Sequence, residues 1–115
     1  MENKAIIEGV LQEFAGLAKH PRKSYHEKAV SDYIVSRLAA LGITAKQDGV
    51  YNVIADIPAT PGYEAAPVTM LQGHMDMVCV AKPDRTYDPL TDEIVLKRDG
   101  NILSADGTSL GADDG

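Results

Sequence analysis

Apolar side chains recur at helical spacing in the first part of the chain, at Ile6, Val10, Phe14 and Ala18. This spacing places them on one face of a helix, so the pattern predicts an amphipathic helix over residues 3–19. The helix is expected to end at His20-Pro21, because the residue before a proline avoids the helical region.

A second helix is predicted to begin at Ser24, since Ser24 and Glu27 have the spacing of a capping box. Its apolar stripe is formed by Val30, Ile34, Leu38 and Leu41. Gly42 supplies the C-terminal stop. The apolar stripes of both helices are expected to face the core.

After Gly42 the apolar pattern changes to a period of about two, which indicates strands. Strands are expected over 43–48 and 52–57, joined through Asp48-Gly49. Residues 58–67 contain three prolines and a glycine and are predicted to form a loop.

Two further strand signals follow this loop. Residues 68–71 are a continuous apolar run, as expected for a strand buried on both faces. Residues 94–98 and 102–105 flank Asp99-Gly100, which predicts a hairpin. Two helices followed by a buried strand and a hairpin indicate an α/β or α+β architecture. Because a central strand needs neighbours on both sides, the chain is expected to be part of a larger domain.

Composition and charge narrow the functional classes. The chain has 115 residues and a net charge of −6, which disfavours binding to nucleic acid or to anionic membranes. The N-terminus lacks the apolar stretch of a signal peptide, and no run is long enough to span a membrane. The single cysteine, Cys79, excludes an intrachain disulfide framework and suits a reducing cytosol.

His74 and Asp76 are the first candidates for chemistry. They lie two residues apart on a predicted strand, so their side chains are expected on the same face. Imidazole and carboxylate are ligands of hydrolytic divalent-metal sites, and a carboxylate can also hold the far ring N–H of a metal-binding imidazole. The alternative is a core histidine with a satisfied hydrogen bond and a structural aspartate at a strand end.

Asp113 and Asp114 lie in a glycine-rich string near the end of the chain. A solvated turn is one interpretation, since Asp and Gly are common turn residues. A phosphate-binding loop is excluded because the string has no lysine, and the spacing of an EF-hand does not fit. A carboxylate metal site with a histidine partner remains open. His20, His26 and Cys79 are weaker candidates, expected to be a surface residue, a solvated residue in the first helical turn and a structural thiol.

Three strings carry a family resemblance: Gly-His-Met-Asp-Met-Val at 73–78, residues 101–105, and Gly-Thr-Ser-Leu-Gly-Ala-Asp-Asp-Gly at 107–115. They look like the M20 metallopeptidases and, more narrowly, resemble the aminoacyl-histidine (Xaa-His) dipeptidases, also called cytosolic non-specific dipeptidases or bacterial carnosinases. Residues 24–38 and 52–55 resemble the same subfamily, so the similarity covers nearly the whole chain. The last string is specific, because most other M20 branches carry a lysine-containing loop after the aspartate.

The resemblance implies a co-catalytic two-metal hydrolase that uses zinc, or manganese or cobalt. It implies that His74 binds one metal, that Asp113 bridges both, and that Asp76 serves catalysis by orienting the His74 imidazole. The peptide bond between Asp113 and Asp114 is implied to be cis. The family's Glu-Glu pair, further acidic ligand and late histidine have no counterpart in these 115 residues.

Residues 1–115 are therefore expected to be the N-terminal portion of an α/β, zinc-peptidase-like catalytic domain with a central mixed sheet, truncated before the remaining ligands and the lid domain. The resemblance implies a cytoplasmic enzyme that hydrolyses dipeptides, while these residues alone are expected to be inactive. The family's lid domain often carries dimer contacts, so a homodimer stays open. The alternatives are another M20 hydrolase (a tripeptidase, carboxypeptidase or deacylase) and a non-catalytic acidic structural domain.

Overall fold

A computed structural model describes residues 2–111 of the chain. Two helices come first, followed by four short strands that form two separate antiparallel pairs. The elements are α1 (Glu2–Ala18), α2 (Lys28–Ala40), β1 (Ala45–Gln47), β2 (Val53–Ala55), β3 (Leu96–Asp99) and β4 (Ile102–Ala105). The predicted order of two helices, a strand pair and a hairpin is confirmed. Within residues 2–111, no helix has the length and apolar character needed to cross a membrane.

Helix α1 ends where the His20-Pro21 signal predicts, and two side chains cap it. His20 Nδ1 donates to the Gly16 carbonyl at 2.9 Å, and Arg22 Nη1 donates to the Leu17 carbonyl at 2.8 Å. These bonds satisfy carbonyls that the last turn of a helix leaves unpaired. His20 is half-buried rather than a surface residue, because its ring also stacks on Tyr33 at 4.3 Å between centroids.

The buried residues of α1 lie in its C-terminal half, while Glu8 in the first half pairs with Arg98 Nη1 of the hairpin at 3.0 Å. Leu17 and Ala18 are buried, whereas Ile6 and Val10 are 64% and 62% exposed. The expectation that the whole apolar stripe faces a core is therefore wrong for these two residues. No described element lies over the first turns of the helix to cover them.

Helix α2 begins at Lys28, later than the capping-box signal at Ser24 predicts. Glu27 is the N-cap residue and makes no side-chain capping bond to the helix. Its carboxylate instead accepts from the Tyr25 backbone N–H at 2.7 Å, and the Ser24 hydroxyl donates to Asp76. The capping-box prediction is wrong because a tertiary contact takes the serine away from the helix end.

The C-terminus of α2 is a Schellman motif. Gly42 N donates to the Ala39 carbonyl at 3.0 Å, and Ile43 N donates to the Leu38 carbonyl at 2.9 Å. Gly42 has a φ of +77°, a conformation that glycine adopts without steric cost. The predicted glycine stop is confirmed.

Strands β1 and β2 pair in register from Ala45 opposite Ala55 to Gln47 opposite Val53, and they pack on α2. Ser31 lies at the centre of this contact and is fully buried. Its hydroxyl donates to the Tyr51 carbonyl at 2.8 Å and accepts from Gln47 Nε2 at 2.7 Å.

Strands β3 and β4 form the predicted hairpin, with Leu96 opposite Ala105 and Asp99 opposite Ile102. The loop is Gly100-Asn101, and Gly100 has a φ of +57°. Ahead of β3, Ile94 N donates to the Ala18 carbonyl at 2.9 Å, which attaches the hairpin to the end of α1. The small core lies at this junction: Ala18, Met77 and Ile94 are buried, and Cys79, Tyr87, Leu96 and Ala105 pack against them.

The predicted strand at 68–71 does not form in the described chain. Val68, Met70 and Leu71 are 98%, 84% and 93% exposed. No strand within residues 2–111 pairs with this segment, so its backbone has no hydrogen-bond ladder and its side chains have no covering layer. The loop predicted over 58–67 is confirmed.

Candidate metal-binding site

The segment between the two helices runs beside the segment that carries His74 and Asp76. Met77 N donates to the Arg22 carbonyl at 3.0 Å, and Lys23 and Met77 form an isolated parallel bridge. The residues on either side of the bridge point to the face opposite to Lys23 and Met77, so Ser24 and Asp76 lie diagonally across from each other on one face. Ser24 and Asp76 therefore meet, although they are far apart in sequence.

Asp76 is hydrogen-bonded through both carboxylate oxygens. Ser24 Oγ donates to Asp76 Oδ2, and His74 Nδ1 lies 2.9 Å from Asp76 Oδ1. The Ser24 hydroxyl, with a smaller contribution from His74, holds the pKa of the Asp76 carboxyl below its usual value. An ionised carboxylate only accepts hydrogen bonds, so Nδ1 of His74 is the donor.

That donation sets which ring nitrogen can act as a ligand. When the neutral imidazole carries its proton on Nδ1, the lone pair is on Nε2, the atom that faces away from Asp76. Metal-binding histidines commonly donate their second ring nitrogen to a carboxylate in this way. The His74 side chain is 59% exposed.

The spacing of His74 and Asp76 predicted that their side chains lie on the same face, and the structure brings the two side chains together. It does so without the predicted strand, because residues 71–76 have no regular secondary structure. The pairing of Met77 with the Arg22 carbonyl replaces the strand as the support.

Arg22 links this segment to the string that precedes Asp113. Its side chain is 2% exposed, and its Nη2 donates to the Gly111 carbonyl at 2.6 Å. Burial lowers the pKa of the guanidinium. A Cβ added to Gly111 would lie 2.8 Å from Met77 Cβ, so the backbone at Gly111 lies directly against Met77. The last described residue is therefore packed beside the neighbour of Asp76.

Asp113 and Asp114, together with the cis peptide bond predicted between them, lie outside the described residues. Within residues 2–111, no three side chains of His, Cys, Asp or Glu come together as a metal site. The described part of the chain contributes one candidate ligand, His74, and the carboxylate that orients it. Asp113 remains a predicted ligand.

Sequence reasoning missed two residues that hold this site together. Ser24 was assigned to a helix cap because its spacing to Glu27 fits that motif, yet its hydroxyl bonds Asp76. Arg22 carried no signal of burial, since arginine is among the residues that are rarely buried without a charged partner. Its place beside Pro21, at the predicted end of α1, was the one local hint that it caps helix carbonyls.

Comparison with known proteins gives two relatives. A cytosol non-specific dipeptidase from Escherichia coli (strain K12) is 38% identical over 102 residues, which cover 89% of this chain and 21% of that protein. The crystal structure of an aminoacylhistidine dipeptidase from Vibrio alginolyticus superposes with a TM-score of 0.81 at 38% identity, covering 90% of this chain and 21% of that one.

The chain thus spans about a fifth of the length of the relatives it matches. No family model matches it. The identity extends over nine-tenths of the chain, and the same share superposes on the solved structure, so the sequence and the fold point to the same relatives. The chain is therefore homologous to the aminoacylhistidine and cytosol non-specific dipeptidases of the M20 family, as its motifs predicted.

Proposed function

We propose that this chain supplies part of the active site of a metal-dependent dipeptidase. His74 binds one divalent ion, Asp113 bridges two, and Asp76 orients His74. The observation that carries the proposal is the hydrogen bond from His74 Nδ1 to Asp76 Oδ1, which leaves Nε2 as the ligand atom of a neutral ring. The homology to two dipeptidases supplies the reaction class.

The donor set fits zinc, with manganese or cobalt as alternatives. Imidazole nitrogen and carboxylate oxygen are both zinc ligands, and hydrolytic sites pair them. When bound, a metal pair acidifies a water and polarises the scissile carbonyl. The chain's own contribution is to hold the His74 ring by its Nδ1 proton and to keep Asp76 ionised for that purpose. The substrate we propose is a dipeptide, of the Xaa-His type.

The wider expectations belong to the same proposal. Residues 1–115 form the N-terminal portion of an α/β catalytic domain, in which the segment 68–71 joins a central mixed sheet. The remaining metal ligands and a lid domain, with its dimer contacts, come from other parts of a longer cytoplasmic protein. The high exposure of Val68 and Leu71 supports this proposal, because an apolar segment of this kind forms a stable strand only when both of its faces are covered.

A chimeric enzyme tests the function. Residues 1–115 replace the homologous segment of the Vibrio alginolyticus aminoacylhistidine dipeptidase, and turnover of Xaa-His dipeptides is measured with zinc, manganese and cobalt. We expect metal-dependent turnover that His74→Ala abolishes, and no turnover from residues 1–115 alone, because a catalytic set missing several members retains little activity.

His20→Ala and His26→Ala in the same chimera are the matched controls. Neither residue contacts Asp76, so both should keep the turnover to within a few-fold, provided the chimera folds. A chimera that folds but shows no metal-dependent turnover would contradict the proposal, as would full activity of the His74→Ala variant. The latter result would favour a structural role for the His74–Asp76 pair.

A further inference from the structure

We propose that Ser24 is a positioning residue that acts on the His74 imidazole through Asp76. The inference rests on the proposed function, since it assigns His74 the role of a metal ligand. Ser24 is then a third member of the site, after His74 and Asp76, and comes from the segment between α1 and α2. The contacts run in one line, from Ser24 Oγ to Asp76 Oδ2 and from Asp76 Oδ1 to His74 Nδ1.

Each oxygen of the Asp76 carboxylate has its own hydrogen-bond partner. The terminal torsion of an aspartate is broad, so an unrestrained carboxylate rotates and can present either oxygen to a neighbour. The Ser24 hydroxyl holds Oδ2, which leaves Oδ1 directed at the imidazole. Ser24 therefore fixes the rotation of the group that in turn fixes the ring of His74.

The backbone around Ser24 is shaped to hold the hydroxyl in place. His26 N donates to the Lys23 carbonyl at 2.8 Å and closes a turn with Ser24 and Tyr25 at its centre. Tyr25 has a φ of +69°, as the third residue of a type II turn requires, although a residue with a Cβ adopts it at a cost. Because the Tyr25 side chain is 95% exposed, packing of its ring does not explain that conformation.

Two further contacts anchor this turn. The Tyr25 N–H donates to Glu27 Oε1 at 2.7 Å, and the Arg22 carbonyl accepts from Met77 N at 3.0 Å. The turn is therefore fixed on one side to the start of α2 and on the other to the residue next to Asp76. Strained backbone conformations of this kind persist where the surroundings determine them, and they are frequent at functional sites.

The expected effect of removing the hydroxyl is moderate. The Asp76 side chain is 32% exposed, so water can replace part of the lost hydrogen bond. Loss of a direct partner of a metal ligand typically lowers metal affinity by roughly ten- to a hundredfold. Ser24 contacts Asp76 rather than His74 and is therefore one hydrogen bond further from the metal. Ser24→Ala should accordingly have a smaller effect and lower zinc affinity by about three- to tenfold.

The first test determines, in the absence of metal, which ring nitrogen of His74 carries the proton. The chimeric dipeptidase, prepared without metal, is labelled with ¹⁵N, and the ring nitrogens of His74 are identified by their loss in His74→Ala. We expect His74 to carry its proton on Nδ1 in the unsubstituted chimera and in Ser24→Thr, which keeps the hydroxyl. Ser24→Ala should shift the ring toward a mixture of the two neutral forms, a readout that a purely structural role would not produce.

Ser36→Ala is the matched control, because the Ser36 hydroxyl donates to the Tyr33 carbonyl on the exposed side of α2. This variant should leave the His74 signals unchanged. Two results would overturn the inference: a His74 ring in the unsubstituted chimera whose proton is on Nε2, or a Ser24→Ala spectrum identical to that of the unsubstituted chimera.

The second test measures zinc binding and turnover in the chimeric dipeptidase. Ser24→Ala should weaken zinc binding by about three- to tenfold, Ser24→Thr should recover most of it, and Ser36→Ala should not change it. An inactive chimera with an intact Nδ1–H form of His74 would count against the proposed function alone. An active chimera in which Ser24→Ala alters neither the ring nor zinc binding would refute the role of Ser24 alone.

Discussion

At the scale of single residues, the candidate site depends on short polar contacts between segments that are distant in sequence. Ser24 and Asp76 meet because Met77 pairs with the backbone of Arg22. The buried Arg22 side chain then connects the end of α1 to Gly111. A buried guanidinium is costly unless its donors are used. Nη1 and Nη2 are used in these two hydrogen bonds, which connect the two segments, whereas the buried Nε has no hydrogen-bond partner among the described residues.

The different positions proposed for Asp113 and Asp76 predict different consequences of substitution in the chimeric dipeptidase. Asp113→Ala should remove most of the bound metal, because it takes an anionic ligand from both ions. Asp76→Ala should retain metal but weaken its binding by roughly ten- to a hundredfold, with a comparable loss of turnover. Metal content by mass spectrometry and turnover are measured for both. Retention of both metals in Asp113→Ala, with loss of both in Asp76→Ala, would reverse the proposed roles.

Asp48 predicts a local dependence on pH. Its carboxylate accepts from Val50 N at 3.0 Å, from Asn52 N at 2.8 Å and from Asn52 Nδ2 at 2.8 Å. These bonds, those to Asn52 above all, lower the pKa of Asp48. A carboxyl whose pKa is lower in the folded state stabilises that state above its unfolded value of about 4, and the contribution is lost as the pH falls through the lowered folded pKa.

The β1–β2 loop should therefore loosen under acid, which the amide shifts of Val50 and Asn52 would report in an NMR titration. Asp48→Asn should largely remove this pH dependence, because the amide side chain does not titrate. The prediction fails if the two amides respond to acid equally in both proteins.

At the scale of elements, most of what the sequence pattern predicted holds. Helix α1, the end of α2 at Gly42 and the β3–β4 hairpin all formed as expected, since each is specified by hydrogen bonds between residues close in sequence. The start of α2 did not, because Ser24 has two possible partners, a backbone N–H at the helix end and the distant carboxylate of Asp76, and Asp76 is the one bonded. A local motif cannot indicate which of the two is chosen.

Two glycines of α1 should respond oppositely to the same substitution. A Cβ at Gly16 would lie 2.9 Å from Tyr33 Cζ, whereas a Cβ at Gly9 meets nothing within 4 Å. Alanine favours a helix over glycine by about 1 kcal/mol, so Gly9→Ala should raise the melting temperature. Gly16→Ala should lower it, because the Tyr33 ring must move and its stacking on His20 is disturbed. Melting is followed by circular dichroism, and stabilisation by Gly16→Ala would disprove the close approach of the Tyr33 ring to Gly16.

At the scale of the whole molecule, the described chain has little core and much exposed apolar surface. Its two strand pairs remain separate, and the buried cluster of Ala18, Met77 and Ile94 is small. The 68–71 segment has no regular secondary structure, three of its four residues are apolar and highly exposed, and no described strand pairs with it. Exposed segments of this type tend to associate with other chains.

We therefore expect residues 1–115 to self-associate. The double variant Met70→Lys/Leu71→Lys should reduce this association more than a control double variant that adds the same charge elsewhere. The control is Ile57→Lys/Tyr63→Lys, which changes two apolar residues that are 70% and 67% exposed in or next to the neighbouring loop. Sedimentation velocity measures the size of each species. A monodisperse unsubstituted chain, or equal effects of the two double variants, would contradict the prediction.

The amino-acid sequence alone determined the features that depend on neighbouring residues: the two helices, their ends at His20-Pro21 and Gly42, the hairpin, and the spacing that lets His74 and Asp76 meet. It also predicted the dipeptidase homology. Only the tertiary structure decided that Ser24 bonds Asp76 rather than capping α2, that Arg22 is buried against Gly111, and that the 68–71 segment is exposed. The physical reason is that these outcomes depend on partners many residues away, whose positions follow from the packing of the whole chain and leave no periodic mark on the sequence.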